Sequence, residues 1–272
     1  MSHIPEPVQK APAPPAEARE IFGDRLELAT RYADLLATTG ISHGLVGPRE
    51  APRLWERHLV NCAVMESLLP TGAHVIDIGS GAGLPGIVLA IARPDLQIDL
   101  VEPLLRRTVW LRSTIEALEL PHIRVHRGRA EDSCLTAPFV TARAVASLDK
   151  LIRWTFPLLE PKGHLLALKG EAAAAELAAA QKLLRKLGVE RAELRVIGQD
   201  SVSEPVRVVD IEVPRGHHPR DARQKGAGGR QGAGGHVETD GIGEVRAKAK
   251  DRQDTAGSQS RDKAAKMRSK SS

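Results

Sequence analysis

The sequence predicts a doubly wound α/β domain whose sheet is mostly parallel and ends on a reversed strand. Three observations carry that prediction. After Gly72, short β-branched runs alternate with helical stretches, the pattern of successive βα units. The run Val75-Ile-Asp-Ile-Gly-Ser-Gly-Ala-Gly-Leu-Pro-Gly86 joins a strand to a helix through alternating glycines, a turn that places bare backbone at the carboxyl edge of a parallel sheet. The last two strand candidates are separated only by the loop Gly198–Pro205, so they pair as a hairpin and one of them runs against the rest.

Taken in order, two helices precede the sheet. Phe22, Leu26, Ala29, Ala33 and Leu36 recur at helical spacing, and Thr39-Gly40 marks the stop. Pro52 fits a first helical turn, after which Trp55, Leu59, Cys62, Met65 and Leu69 form one apolar stripe. Residues 41–48 between them read as loop. The expected strands are His74–Ile78, Ile98–Glu102, Ile123–His126, Phe139–Val145, His164–Lys169, Glu193–Ile197 and Arg207–Val213. Helices are expected at Pro85–Arg93, Leu104–Leu120, Leu148–Leu159 and Glu171–Leu187, with only the link Ala130–Pro138 before the fourth strand.

Composition shifts on either side of this span. Residues 1–18 are rich in Pro, Ala and Glu and read as a disordered, solvated arm. From Pro214 to Ser272 only Val237, Ile242, Val245 and Met267 are sizeable hydrophobes, too few to offset the entropy of ordering the segment. One folded domain, residues 19–213, is therefore expected between a disordered arm and a disordered basic tail, 214–272. That tail holds 14 basic and 7 acidic residues, the remainder 25 and 27, so the basic character of the chain belongs to the tail. Its composition fits attraction to a polyanion such as RNA and, equally, a solubilising appendage.

The start, Met-Ser-His-Ile-Pro-Glu-Pro, has no basic region followed by an apolar stretch, so no signal peptide is expected. No run approaches the ~18 apolar residues of a membrane span. Cys62 and Cys134 lack metal-ligand or CxxC spacing and read as reduced packing residues of a cytoplasmic protein. No metal site is expected, and a monomer is.

Two nucleotide cofactors compete for the glycine turn. Gly81-Ala-Gly-Leu-Pro-Gly86 satisfies the dinucleotide pattern GxGxxG, and Glu102 follows about 20 residues on. A pyrophosphate, however, brings concentrated negative charge to this turn, where Asp77 repels it. S-adenosylmethionine reverses the sign, with a cationic sulfonium and an ammonium. Asp77, the glycines Gly79, Gly81 and Gly83, and Glu102 as acceptor for the ribose hydroxyls suit that cofactor. No GxxxxGK[ST] occurs, which disfavours a nucleoside triphosphatase. A mostly parallel sheet ending in a reversed strand is also how class I methyltransferases are built.

Further motifs then line up in one order: Arg57-His58-Leu-Val-Asn61, Asp77-Ile-Gly-Ser-Gly-Ala-Gly-Leu-Pro-Gly-Ile87, Arg129-Ala-Glu131, Ala142-Arg-Ala-Val-Ala-Ser-Leu148 and Ala167-Leu-Lys-Gly170. Over about residues 25–213 this closely resembles the bacterial 16S rRNA guanine-N7 methyltransferase family, also called the glucose-inhibited division protein B family. The combination of Gly-Leu-Pro-Gly with Arg-Ala-x-Ala-Ser-Leu is far more specific than a generic methyltransferase turn. The resemblance implies a class I S-adenosylmethionine-dependent, Rossmann-like fold of seven strands. It implies methyl transfer to N7 of a guanosine in the helix-18 loop of 16S rRNA, with the small ribosomal subunit as partner. It further implies that Gly79 and Leu84 lie against the methionine and ribose of the cofactor, Ala130 and Glu131 by the adenine, and Arg143 at the mouth of the site. The chain has Asp-Ile-Gly-Ser-Gly-Ala-Gly where the family often has Asp-Val-Gly-Thr-Gly-Pro-Gly, a change that keeps every glycine.

The chemistry explains what the sequence lacks. Guanine N7 has an in-plane lone pair and no proton to lose, so alignment and electrostatics do the catalysis and no Ser/His/Asp constellation is needed. An adenine-N6 enzyme would show a polar-Pro-Pro-aromatic stretch after the fourth strand, where this chain reads Ala-Val-Ala-Ser-Leu. A cytosine-C5 enzyme needs a thiolate nucleophile. The catalytic candidates are Arg143, Lys169 and His58. Arg143 reads as a fork on guanine O6 or phosphate, as a strut of the cofactor pocket, or as a salt bridge. Lys169 reads as a phosphate contact or a solvated strand end, and His58 as packed or functional. Arg57 and Arg207 are RNA-contact candidates, while Arg106 and Arg107 read as a solvated basic face or, less simply, as phosphate contacts. Two other classes remain open: a class I methyltransferase on another substrate, and a non-catalytic RNA-binding ribosome-assembly factor.

Overall fold

A computed structural model describes residues 10–219. The chain enters through helices α1 (Ala16–Phe22) and α2 (Leu26–Leu35), the latter widening into a π-helical turn, Leu36–Gly40. A 3-10 turn (Pro48–Arg53), a π-helical stretch (Trp55–Val60), the short α3 (Asn61–Ala63) and another 3-10 turn (Val64–Leu68) follow. The two apolar stripes bury as expected: Ala29, Ala33 and Leu36 on one, and Leu59, Cys62 and Met65 on the other, are fully enclosed. Each such Leu or Met contributes about 1.5–3 kcal/mol by leaving water.

Seven strands form one sheet in the order β3-β2-β1-β4-β5-β7-β6. They are β1 (His74–Ile78), β2 (Gln97–Glu102), β3 (Ile123–Arg127), β4 (Ala137–Arg143), β5 (Leu159–Lys169), β6 (Arg191–Ile197) and β7 (Val206–Glu212). β1 to β5 are parallel, and β7 runs antiparallel between β5 and β6. Strand alternation sends Val75, Ile98 and Leu100 to the face covered by α1, α2, α4 (Gly86–Ala92) and α5 (Leu105–Ala117), and Ile76, Ile78 and Val101 to the face of α6 (Leu148–Thr155) and α7 (Ala173–Lys186).

Several boundaries differ from the sequence reading, each for a physical reason. β4 ends at Arg143 because Ala144 turns to a positive φ of 54°, which breaks the extended chain. The helix expected to reach Leu159 stops at Thr155, since Pro157 cannot continue it and the chain tightens into a 3-10 turn. β5 begins five residues early because Glu160-Pro-Lys-Gly163, which reads as a turn, forms an irregularity in register opposite Ala137–Phe139. The link after β3 holds a 3-10 turn, Ala130–Asp132, in place of a crossover helix.

The arm expected over residues 1–18 is corrected within its described part. Ala16 already opens a helix, Ala18 is fully buried, the amide of Ala11 donates to Asp34 Oδ1 at 2.9 Å, and the Trp55 indole donates to the Pro12 carbonyl at 2.7 Å. At the other end His217 Nε2 donates to Phe156 O at 2.9 Å, so the first residues past Val213 pack on the domain. The expectations for residues 1–9 and 220–272 lie outside the described residues. No described helix is long and apolar enough to cross a membrane.

Candidate active site

The site grows from the end of β1. Beyond Ile78 the chain takes positive φ at Gly79, Gly81 and Gly83, and a Cβ at Gly79 would lie 2.8 Å from Val145, so the first glycine is demanded twice over. The turn's amides face inward. Gly79 and Ser80 donate to Val101 O (2.8 and 3.3 Å), Gly81 to Glu102 Oε2 (3.0 Å), Gly83 and Leu84 to Ser80 O (2.6 and 3.1 Å), and Gly86 to Asp77 Oδ2 (3.1 Å). A pyrophosphate cradle needs such N–H groups aimed at the ligand. Here they are engaged within the protein, which argues against a dinucleotide on structural grounds.

Above the turn lies a cavity of about 410 Å³, in the size range of small-molecule sites, with Gly79, Glu102, Leu104, Ala130, Glu131 and Val145 on its walls. Arg107, Arg129 and Trp154 complete the rim. Glu102 is 1% exposed. Its Oε2 accepts from Gly81 and its Oε1 from Leu104, each at 3.0 Å, and Arg107 Nη1 lies 3.6 Å away. A carboxylate offers about four acceptor positions, so two amides leave capacity for a ligand's hydroxyls. Acceptors at one end and the apolar walls Ile78, Val101 and Leu104 beside them fit an adenosine-bearing cofactor such as S-adenosylmethionine. No cluster of metal-binding side chains occurs among the described residues.

Asp77 is not on that wall. It points beneath the turn, fully buried, with Oδ2 on the Gly86 amide and Oδ1 without a partner. Burial pushes its carboxyl up to about 7, against the pull of that amide. The expectation of an acid held against the cationic donor is therefore corrected: Asp77 ties the end of β1 to the start of α4. Gly81, Gly83 and Leu84 likewise shape the turn without walling the cavity.

Arg143 is the hub of a second group, and every bond of its fork lies inside the protein. Nη2 donates to Arg57 O (2.8 Å) and His58 Nδ1 (2.7 Å), and Nη1 to His58 O (3.5 Å) and Cys62 Sγ (3.2 Å). It braces the end of β4 against the helical run of residues 55–63, and the cavity is lined by its neighbours Ala144 and Val145, not by Arg143 itself. His58 passes its Nε2–H to Glu50 Oε2 at 3.0 Å, and burial, with Arg143 second, lowers its pKa to about 4. It is thus a neutral, packed imidazole. Glu50 also holds Arg57 at 3.1 Å.

Lys169 is enclosed as well. Its Nζ donates to Ala146 O (2.7 Å) and Glu176 Oε2 (2.9 Å), and the same carboxylate oxygen accepts the Leu148 amide (2.7 Å). The reading of Lys169 as a phosphate contact is corrected: it pins the loop after β4. Arg207 is exposed on β7, opposite Lys169. Sequence reasoning missed Tyr32, fully buried, whose hydroxyl donates to Ala82 O at 2.6 Å. It also missed Trp154, Glu50 and Glu176, and it read Arg107 as solvated where the structure turns it to Glu102. The one available signal was Arg107's position five residues past a strand-end acid.

Fold and site together define a class I S-adenosylmethionine-dependent methyltransferase. Among solved structures the fold is similar to the S-adenosylmethionine-dependent methyltransferase SibL in its apo form, with a TM-score of 0.50 and 18% identity over 74% of this chain and 70% of that one. The chain belongs to the GidB family, rRNA small subunit methyltransferase G, whose model matches residues 25–203. It is 56% identical over 202 residues to the ribosomal RNA small subunit methyltransferase G of Thermobifida fusca, covering 74% of this chain and 85% of that protein. To the protein of the same name from Salinispora arenicola it is 50% identical over 242 residues, covering 84% and 100%.

Proposed function

We propose that this chain, as a cytoplasmic monomer, methylates N7 of a guanosine in the helix-18 loop of 16S rRNA. The observation that carries the reading is the pairing of a buried strand-end acid with a glycine turn: Glu102 walls the cavity, and the turn's amides are engaged internally. When bound, S-adenosylmethionine supplies a methyl group already activated by its sulfonium. Glu102 would hold its ribose hydroxyls, Gly79 and the turn shaped by Gly81, Gly83 and Leu84 its methionine end, and Ala130 with Glu131 its adenine.

The remaining residues position rather than react. N7 needs no base to deprotonate it, consistent with a neutral His58 bonded on both nitrogens. Arg143 and the Lys169–Glu176 pair hold the two ends of the loop that brings Ala144 and Val145 to the cavity. A rigid loop there fixes the approach of the base, the main source of rate in an in-line displacement. Arg57 and Arg207 keep exposed guanidinium surface for RNA phosphate.

The test is nucleoside mass spectrometry of 16S rRNA from cells lacking the gene, with and without a plasmid copy. Loss of one 7-methylguanosine in the helix-18 loop, restored by the plasmid, is expected. An unchanged modification map overturns the proposal.

A further inference from the structure

Beside the cavity lies a surface that the methyl-transfer chemistry does not use. Helix α5 starts three residues past Glu102, and the apolar side chains at its opening stand in solvent: Leu104 is 45% exposed, Leu105 55% and Val109 52%. Leu105 and Val109 are one turn apart and share a face. Adjacent large hydrophobes this exposed mark a contact site, whereas single ones are ordinary. The charge around them is mainly positive, with Glu116 on the same face one turn past Arg112 and Glu131 and Asp132 just past Arg129 as the acidic exceptions. Residues 103–129 hold six arginines against Glu116 and Glu119, while the rest of residues 1–213 holds 19 basic and 25 acidic residues. Arg112 reaches Val125 O on β3 at 3.5 Å, and Leu104, Arg107 and Arg129 rim the cavity. The opening of α5 thus borders the cavity through Leu104 and Arg107 and touches the edge strand through Arg112.

From this we infer that the outer face of α5, Leu105 and Val109 framed by Arg106, Arg112 and Arg129, docks an unpaired stretch of the RNA substrate beside the cofactor cavity. Arginines meet its phosphates and the apolar pair meets its exposed base faces. A duplex keeps its bases stacked inside and offers nothing to Leu105 and Val109, whereas a loop presents both phosphate and unstacked base. The inference rests on the rRNA substrate proposed above.

The test uses the full-length protein and two double variants, Leu105→Ser/Val109→Ser and Arg106→Gln/Arg112→Gln. Three readouts serve: anisotropy of a fluorescent single-stranded oligoribonucleotide of the helix-18 loop across a salt series, calorimetry with S-adenosylmethionine, and kinetics of methyl transfer to 16S rRNA. The apolar variant should bind the oligonucleotide roughly tenfold more weakly. The arginine variant should lower the slope of log affinity against log salt by about 1.4, two single-strand phosphates' worth. In both, KM rises while kcat and cofactor affinity hold. Wild-type RNA affinity and KM in both variants, with the parent enzyme active, discard this surface and leave the methyltransferase reading standing. A parent enzyme that methylates no rRNA removes the substrate reading and the docking with it. A parent dimer that the Ser variant dissociates, with RNA binding unchanged, assigns the face to self-association and overturns the inference.

Discussion

The hydroxyl of Tyr32 on α2 donates to the carbonyl oxygen of Ala82 at 2.6 Å, across 50 positions of sequence. The N-terminal helices are thereby fastened to the middle of the glycine turn. Burial, and then the neighbouring Cys62 and Asp77, raise the phenol's pKa well above its ordinary value, so the hydroxyl keeps the proton it donates at neutral pH.

Removing that fastening should register in both stability and binding. Tyr32→Phe is expected to cost about 1 kcal/mol, the net worth of one buried hydrogen bond, and to weaken S-adenosylmethionine by a similar factor. Urea unfolding and calorimetric titration check the two separately. Unchanged cofactor affinity alongside the stability loss would show that the turn keeps its shape without Tyr32.

Two glycines of the turn should fail in opposite ways. At Gly81 a Cβ meets nothing nearer than 3.7 Å, and φ is +57°, a conformation Asp tolerates better than most residues. Gly81→Asp should therefore fold, yet its added carboxylate beside Glu102 should abolish cofactor binding. At Gly86 a Cβ would overlap the Leu100 side chain and lie 2.9 Å from Asp77 Oδ2, so Gly86→Ala should lower stability by about 1–3 kcal/mol. Thermal melts with and without S-adenosylmethionine distinguish the two behaviours.

Asp77 sets a pH dependence of defined sign. Its folded pKa, about 7, lies above the ordinary carboxylate value of 3.8. Between those values the unfolded chain holds fewer protons than the folded one, so this group's contribution is full below pH 3.8 and is lost as pH rises to 7. Asp77→Asn, which keeps the shape without the charge, should raise the melting temperature of the ligand-free protein at pH 8 and lose that advantage towards pH 4. A gain independent of pH would mean that the carboxyl is not titrating.

His58 behaves in the opposite sense. With its pKa lowered to about 4, it contributes nothing to the pH dependence above its ordinary 6.5, and costs stability as pH falls from there to 4. The rate of methyl transfer should show no inflection near 6.5 that His58→Asn removes. Imidazole resonances followed by NMR should stay fixed for His58 down to about pH 5.

The loop after β4 should loosen when its pin is removed. Lys169→Met leaves Ala146 O and Glu176 without the ammonium that joins them. Burial works to raise the Glu176 carboxyl, but the Lys169 bond holds it low, and that lowering should vanish in the variant. Faster amide exchange at residues 144–148 with a reduced kcat is expected. Protection equal to the parent's would place the loop's rigidity elsewhere.

What the sequence made legible was whatever local periodicity encodes. β1 was readable to the residue because Gly72 and Gly79 bracket a short run built on Val75, Ile76 and Ile78, and the β6–β7 hairpin because its loop admits no crossover helix. Glu102 stood out because it closes β2 at a separation of 21 from Gly81, the amide it accepts. Hidden residues were those whose partners are remote: Tyr32 with Ala82, or Arg143 with His58 at a separation of 85. The side-chain direction of Asp77 escaped for a related reason. Alternation along β1 sends it to the α4 face, whereas a charge argument places it only near the turn. Pro12 misled through composition, since a Pro-rich stretch reads as solvated until a Trp55 indole claims its carbonyl.

The placement of β7 between β5 and β6 dictates an order of assembly during synthesis. The ribosome releases β5 long before Val206–Glu212, so β5 waits with one flank bare until almost the entire domain has emerged. Bare strand flanks invite the wrong neighbour. Messages truncated ahead of codon 206 should thus yield sticky, chaperone-bound chains, while those cut just past the domain should yield soluble ones.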